Sequence, residues 1–102
     1  MSPAQRQAAF ERIFANAARG FARRLGVGFA GTIRKLPPPP LPGELPGATR
    51  YYVNAVSGDG APSLMELSGP ALAGVRRAER WAETGEGPQP GGSARGRRTL
   101  KR

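Results

Sequence analysis

The chain has 102 residues and a formal net charge of +9, and it contains neither cysteine nor histidine. The commonest thiolate and imidazole metal ligands and the commonest acid–base side chain are thus missing, so we predict no enzyme, no metal site and no cofactor. No apolar run reaches the roughly 20 residues of a membrane-spanning helix, and we expect none. Leu, Ile, Val and Phe supply only 18 residues, which with this charge is typical of chains that order on a partner.

Residues 1–26 predict a basic amphipathic N-terminal helix. Ser2, Pro3 and Gln5 provide a capping hydroxyl, a proline at the first helical position and a glutamine three residues after the cap. An apolar stripe follows at spacings of three and four residues, formed by Phe10, Ile13, Phe14, Ala17, Phe21 and Leu25. Two interpretations stay open: an amphipathic surface helix, or a mitochondrial targeting helix, whose Arg-rich and acid-poor composition this segment shares.

Residues 27–49 predict an extended Gly/Pro-rich strap. The glycines and the irregular alternation of residues 27–36 are too weak a pattern to predict a strand. Four consecutive prolines, Pro37 to Pro40, are followed by Pro42 and Pro46. This run favours a polyproline II rod, because proline fixes φ and the rod has no internal hydrogen bonds. Its carbonyl groups would then be free to bind a neighbouring chain.

Residues 50–67 permit a short hairpin. The β-forming stretch Arg50–Val56 and the stretch Ser63–Leu67 flank a turn sequence at Ser57–Gly60. A two-stranded hairpin alone is marginally stable in water, so we expect this one to need support from elsewhere.

Residues 68–84 predict a short helix, since Ser68–Pro70 is a start signal and apolar residues recur at helical spacing after it.

Residues 85–102 predict a basic Gly/Pro-rich arm. The closely spaced cations of residues 94–102 have two interpretations: they neutralise RNA phosphates, or they belong to a tail that is either solvated or follows an acidic protein groove. We favour the second interpretation, because no aromatic residue is interleaved for base stacking.

The predicted fold class is therefore a mostly irregular, extended chain with an N-terminal amphipathic helix, a short hairpin, a short C-terminal helix and little independent core. Large amphipathic aromatic residues such as Tyr51, Tyr52 and Trp81 have the profile of interface anchors, although in a self-sufficient domain they would be core. The residues that we predict to contact a partner are Phe10, Phe14, Phe21, Pro37, Pro38, Pro39, Leu41, Pro42, Tyr51, Tyr52 and Trp81.

The order of motifs in residues 34–74 resembles the alpha-subcomplex subunit 7 family of mitochondrial NADH:ubiquinone oxidoreductase, respiratory complex I. The matching features are a triple proline with a nearby Leu-Pro, a Tyr-Tyr pair, an Asp-Gly turn, a proline, and a Ser with Ala-Leu. In this sequence they are Pro37, Pro38, Pro39, Leu41, Pro42, Tyr51, Tyr52, Asp59, Gly60, Pro62, Ser68, Ala71 and Leu72. The arginines that flank the Asp-Gly turn in the family are absent here.

The resemblance implies a non-catalytic accessory subunit that lies as an extended chain on the matrix side of the mitochondrial inner membrane. Its partners would be other complex I subunits of the peripheral arm near the membrane arm, and it would help to assemble or stabilise the complex. It would be peripheral to the membrane and bind no small-molecule substrate. A ribosomal or mitoribosomal protein threading along rRNA is the alternative, and a phage or virion connector protein is a third.

Overall fold

The polypeptide forms two helices and three strands rather than an irregular chain. The computed structural model describes residues 1–90, so the predicted basic arm lies largely outside the described residues. In chain order the elements are α1 (Pro3–Leu25), β1 (Gly28–Lys35), β2 (Arg50–Val56), β3 (Pro62–Glu66) and α2 (Gly69–Thr84). The strands form one antiparallel sheet in the order β1–β2–β3. The predicted fold class, a mostly extended chain with little independent core, is therefore wrong.

The sequence-based prediction underestimated the core because half of the buried apolar residues are alanines. Seven of the fourteen buried apolar residues are alanines, a residue type that the count of Leu, Ile, Val and Phe leaves out. Small side chains allow neighbouring backbones to approach closely, so a core can be dense without many large residues. The buried apolar residues are Ala9, Phe10, Phe14, Ala18, Ala22, Tyr51, Val53, Ala55, Leu67, Ala71, Val75, Ala78, Trp81 and Ala82.

The described chain divides into two compact units, of which the first comprises Met1–Ala17 and the chain from Gly69 onward. Within this unit the rings of Phe10 and Phe14 are buried, with their centroids 5.8 Å apart. The capping box at the start of α1 is confirmed: the Gln5 amide donates to Ser2 Oγ at 3.1 Å, and the Ser2 amide donates to Gln5 Oε1 at 2.8 Å.

Arg6 ties the end of α2 to the start of α1 in the same unit. Its Nε donates to the carbonyl oxygen of Ala82 at 3.0 Å, which satisfies one of the carbonyls that a helix leaves unpaired in its last turn. Gly85 then ends the helix with φ of +73°, and its amide donates to the Trp81 carbonyl at 2.7 Å.

Replacing Gly85 with alanine should lower the free energy of unfolding by about 1–3 kcal/mol, because the left-handed conformation strains an L side chain. The added Cβ would also lie 3.0 Å from Cζ of Arg6. Urea unfolding of the full chain measures the loss. Gly58→Ala is the matched control, since a Cβ at Gly58 meets nothing within 4 Å and φ there is not positive. Equal unfolding midpoints for the two variants would contradict the strain at Gly85.

The second unit, Ala18–Ser68, holds the sheet. Alternate residues of β2, namely Tyr51, Val53 and Ala55, are buried, while the intervening side chains are only half-buried. One face of the sheet is therefore core and the other is open, as in many antiparallel sheets. The guanidinium of Arg19, in the last turns of α1, lies 4.7 Å from the centroid of the Phe29 ring in β1.

β1 occupies a segment in which the sequence did not predict a strand. Its pairing with β2 shifts register between Phe29 and Thr32, where Gly31 has φ of +124°. A bulge of this kind inserts an extra residue, so inward and outward positions exchange along the strand. The alternation of residues 27–36 is irregular for this reason.

The turn between β2 and β3 lies where the sequence placed it. The Gly60 amide donates to the Ser57 carbonyl at 2.9 Å, and Gly60 has φ of +88°. Asp59 accepts hydrogen bonds from the Ser57 hydroxyl and from the Ala61 amide, and these hold the pKa of Asp59 below its usual value. The hairpin gains the third strand β1, which supplies the support that two strands lack.

Candidate protein-binding surface

The proline block forms a loop between β1 and β2, which we call the proline loop (residues 36–49). Its ends meet, because Lys35 and Arg50 are partners in the β1–β2 ladder. Its two limbs also approach each other: a Cβ added at Gly47 would lie 3.1 Å from Cβ of Pro37. The segment therefore doubles back on itself and is not a straight strap.

The tip of the proline loop is a tight turn from Leu41 to Glu44. The Glu44 amide donates to the Leu41 carbonyl at 2.9 Å, and the Glu44 carboxylate accepts from the Leu41 amide at 2.8 Å. Pro42 and Gly43 occupy the two central positions, with Gly43 at φ of +88°. This is the residue pattern of a type II turn, so the tip has a defined shape despite its exposure.

The proline loop presents three leucines to solvent. Leu36 and Leu41 are each 67% exposed, and Leu45 is 90% exposed. Among the leucines of residues 1–90, Leu67 is the one that is buried. A sizeable exposed apolar patch on a protein commonly marks a site of contact with another molecule.

The sheet side opposite the core is a second exposed surface, which we call the open face. Cross-strand partners lie on the same side of a sheet, so the pairings Ile33–Tyr52 and Asn54–Leu64 place these four side chains together. Ile33 is 37% exposed and Leu64 is 46% exposed. The open face consists of Ile33, Lys35, Arg50, Tyr52, Asn54, Val56, Leu64 and Glu66.

Charged groups border the apolar part of the open face. The Lys35 ammonium lies 5.5 Å from the centroid of the Tyr52 ring, within cation–π range. Arg50 and Glu66 form a cross-strand ion pair of 3.4 Å, and both are well exposed, so the pair adds little stability. A shallow cavity of about 420 Å³ lies at the other end of the face, where Asn54, Val56 and Leu64 form part of its lining.

The structure divides the predicted contact residues between surface and core. Phe10, Phe14 and Tyr51 are at most 2% exposed, so these three fill the core and are not available to a partner. The others differ in exposure: Trp81 is buried at 8%, Phe21, Pro37 and Tyr52 are half-buried, and Pro38, Pro39, Leu41 and Pro42 are exposed. The proline loop, Tyr52 and Phe21 are therefore the predicted contacts that reach the surface.

Several surface residues were missed by sequence reasoning. Ile33, Lys35 and Leu64 join Tyr52 only through strand pairing, which residues far apart in the chain do not reveal. Leu45 could have been found, since it lies between Glu44 and Pro46 in a Gly/Pro-rich segment that cannot bury it.

No group of three acidic, histidine or cysteine side chains within residues 1–90 is arranged to hold a metal ion. In the same part of the chain, no helix has the length and apolar character needed to cross a membrane. No protein-family model, no curated protein and no solved structure matches the chain. Its function is therefore inferred from its own residues.

Proposed function

We propose that this chain is a non-catalytic accessory subunit that binds a larger protein assembly through the proline loop and the open face. The observation that carries the proposal is the exposure of Leu36, Leu41 and Leu45 on a loop of defined shape. A leucine that enters a partner's groove gains its burial energy on binding, and a proline-stiffened loop loses little conformational entropy in doing so.

The open face extends the same contact surface. Ile33, Tyr52 and Leu64 offer a partly exposed apolar patch beside the loop's attachment at Lys35 and Arg50. Tyrosine combines a large contact area with a polar end, which suits a position that is half-exposed in the free chain and buried in a complex.

The assembly that we propose is mitochondrial respiratory complex I, on the matrix side of its peripheral arm. Support comes from the sequence resemblance, whose residues 34–74 contain the proline loop and all of the open face except Ile33. The mode of binding differs from the one that the resemblance implies. The chain would dock as a folded module with an apolar loop, and not as an extended strap.

Native fractionation of a detergent-solubilised organelle extract tests this assignment. The chain, followed by mass spectrometry, should migrate with NADH dehydrogenase activity in a fraction far larger than its 10.8 kDa. Migration of the chain as a free protein would contradict the accessory-subunit proposal. Migration with a large complex that lacks this activity would reject complex I as the assembly. The proposed surface would then be assigned to that other complex.

Leu45→Ser should weaken binding to the assembly by about tenfold or more, the effect of an interface hot spot. The stability of the free chain should change by less than about 0.5 kcal/mol, because Leu45 is 90% exposed. Affinity capture of the assembly by the tagged full chain measures the first effect and urea unfolding the second. Leu25→Ser is the control, since Leu25 is 50% exposed and lies outside the loop. Equal capture of the assembly by both variants would show that the proline loop is not part of the interface.

Binding to rRNA is the second candidate function, and the cations of the second unit favour it. Its six basic residues, Arg19, Arg23, Arg24, Arg34, Lys35 and Arg50, are all exposed and outnumber its acids, Glu44, Asp59 and Glu66. The proline loop, however, carries Glu44 and no cation, which a loop following phosphates would not be expected to do. Co-migration with rRNA, with affinity falling steeply as salt rises, would favour this alternative.

A further inference from the structure

A cleft of about 360 Å³ lies at the end of α2, within the first unit. We call it the tryptophan cleft. One wall is a single helix face, since Arg77, Arg80 and Trp81 are spaced three and four residues apart. The chain turns at Gly85 and Gly87, both with positive φ, and Pro88 and Pro90 then form the facing wall. The lining is Arg77, Arg80, Trp81, Thr84, Glu86, Gly87, Pro88 and Pro90.

Local hydrogen bonds hold the cleft open in this shape. Thr84 Oγ1 donates to the Arg80 carbonyl at 3.0 Å and accepts from the Glu86 amide at 3.2 Å. The backbone between the two walls is thus fixed by its own polar groups. A ligand entering the cleft would not have to order this segment first.

Within residues 1–90, the two guanidinium groups of the cleft have unused donors. Arg77 and Arg80 are exposed, and neither side chain makes a hydrogen bond or ion pair with another of residues 1–90. Each guanidinium presents a planar fork of donors that matches a carboxylate. Trp81, Pro88 and Pro90 supply the apolar part of the same lining. The cleft thus combines anion recognition with a place for an apolar side chain.

We propose that the tryptophan cleft binds an acidic peptide segment of a partner protein, with carboxylates on Arg77 and Arg80 and an apolar side chain against Trp81. This site shares no residue with the proline loop and does not depend on the proposed function. Charge complementarity argues for this occupant. The chain's own residues 95–102 carry five cations and no acid, so two arginines would repel them.

A nucleic acid is the less favoured occupant. Trp81 is only 8% exposed, so its ring has too little open area for a base to stack on. Two cations also form a short track for a phosphate backbone, and Glu86 lies among the lining residues.

Trp81 is the chain's only tryptophan, so its fluorescence reports directly on the cleft. The full chain is titrated with an acetylated decapeptide of alternating Glu and Leu, and separately with the same peptide carrying Gln for Glu. We expect a saturable change in Trp81 emission with the acidic peptide and a much weaker response to the neutral one. No change with the acidic peptide, or equal responses to both, would overturn the proposal.

Matched variants test whether the preference for an acidic peptide comes from the two arginines of the cleft. Arg77→Gln combined with Arg80→Gln should lower the affinity for the acidic peptide by about tenfold or more, because each substitution removes a charge-assisted hydrogen bond. Arg76→Gln is the control, being exposed on the same helix but absent from the lining. Glu86→Gln should tighten binding. An equal loss with Arg76→Gln, or tighter binding of a single-stranded RNA decamer than of the peptide, would reject the acidic-peptide assignment.

Discussion

Replacing Tyr51 with alanine is expected to lower the free energy of unfolding by about 3–5 kcal/mol, the usual cost of truncating a buried aromatic side chain. Tyr51 is 2% exposed, and its carbonyl accepts the Leu67 amide at 2.8 Å where the chain leaves β3. Tyr51 is one of three large fully buried side chains in the second unit, together with Val53 and Leu67. Domains of this size are stable by only about 5–15 kcal/mol, so the loss is large. Urea unfolding of the full chain measures it.

Tyr52→Ala is the matched control, because it removes the same side chain from the next residue. Tyr52 lies half-buried on the open face, where it contacts the Lys35 ammonium through its ring. We expect about 1 kcal/mol of destabilisation from this change, together with weaker binding to the assembly. If the two variants lost equal stability, the assignment of Tyr51 to the core and Tyr52 to the surface would be wrong.

Phe10→Ala should destabilise the first unit by a similar amount, about 3–5 kcal/mol. The side chain is fully buried, and its ring is paired with that of Phe14, which adds a contribution beyond the buried area. The change is measured by thermal or urea unfolding with Trp81 emission as the probe, since Trp81 lies in the same unit.

Arg12→Ala provides the comparison for Phe10→Ala, because Arg12 is exposed on the same helix. Its effect on unfolding should stay within about 0.5 kcal/mol. The opposite pattern would be informative. If Phe10→Ala left unfolding unchanged and reduced only the capture of the assembly, Phe10 would be a partner contact and not a core residue.

Local signals allowed both helices and the hairpin turn to be predicted from the sequence. The capping box at Ser2 and Gln5 involves residues three apart, and the turn at Ser57–Gly60 depends on residues within one short segment. Such features are decided by neighbours in the chain, which the sequence displays directly.

The core and the third strand could not be predicted in the same way. A count of large apolar residues overlooks Ala18, Ala22 and Ala55, which are buried because of what surrounds them. β1 was hidden because the bulge at Gly31 breaks the alternation that identifies a strand. Both errors led to the prediction of an extended chain without a core of its own.

Each candidate site likewise combines features that the sequence reveals with features that only the fold creates. The proline loop was predicted from composition to be a contact segment, whereas its doubled-back shape depends on the β1–β2 pairing. The open face is created by strand pairing. In the tryptophan cleft, the helical spacing of Arg77, Arg80 and Trp81 was visible in the sequence, but the wall formed by Pro88 and Pro90 was not.

Chemical labelling of Lys35 tests whether the open face and the proline loop bind the partner, because this lysine lies on the open face next to the proline loop. Its acetylation rate would be compared between the free full chain and the chain within the purified assembly. If the open face and the loop bind the partner, Lys35 should react several-fold more slowly in the assembly. An equal rate in both states would contradict the proposed mode of binding, because the open face would then remain accessible to solvent in the complex.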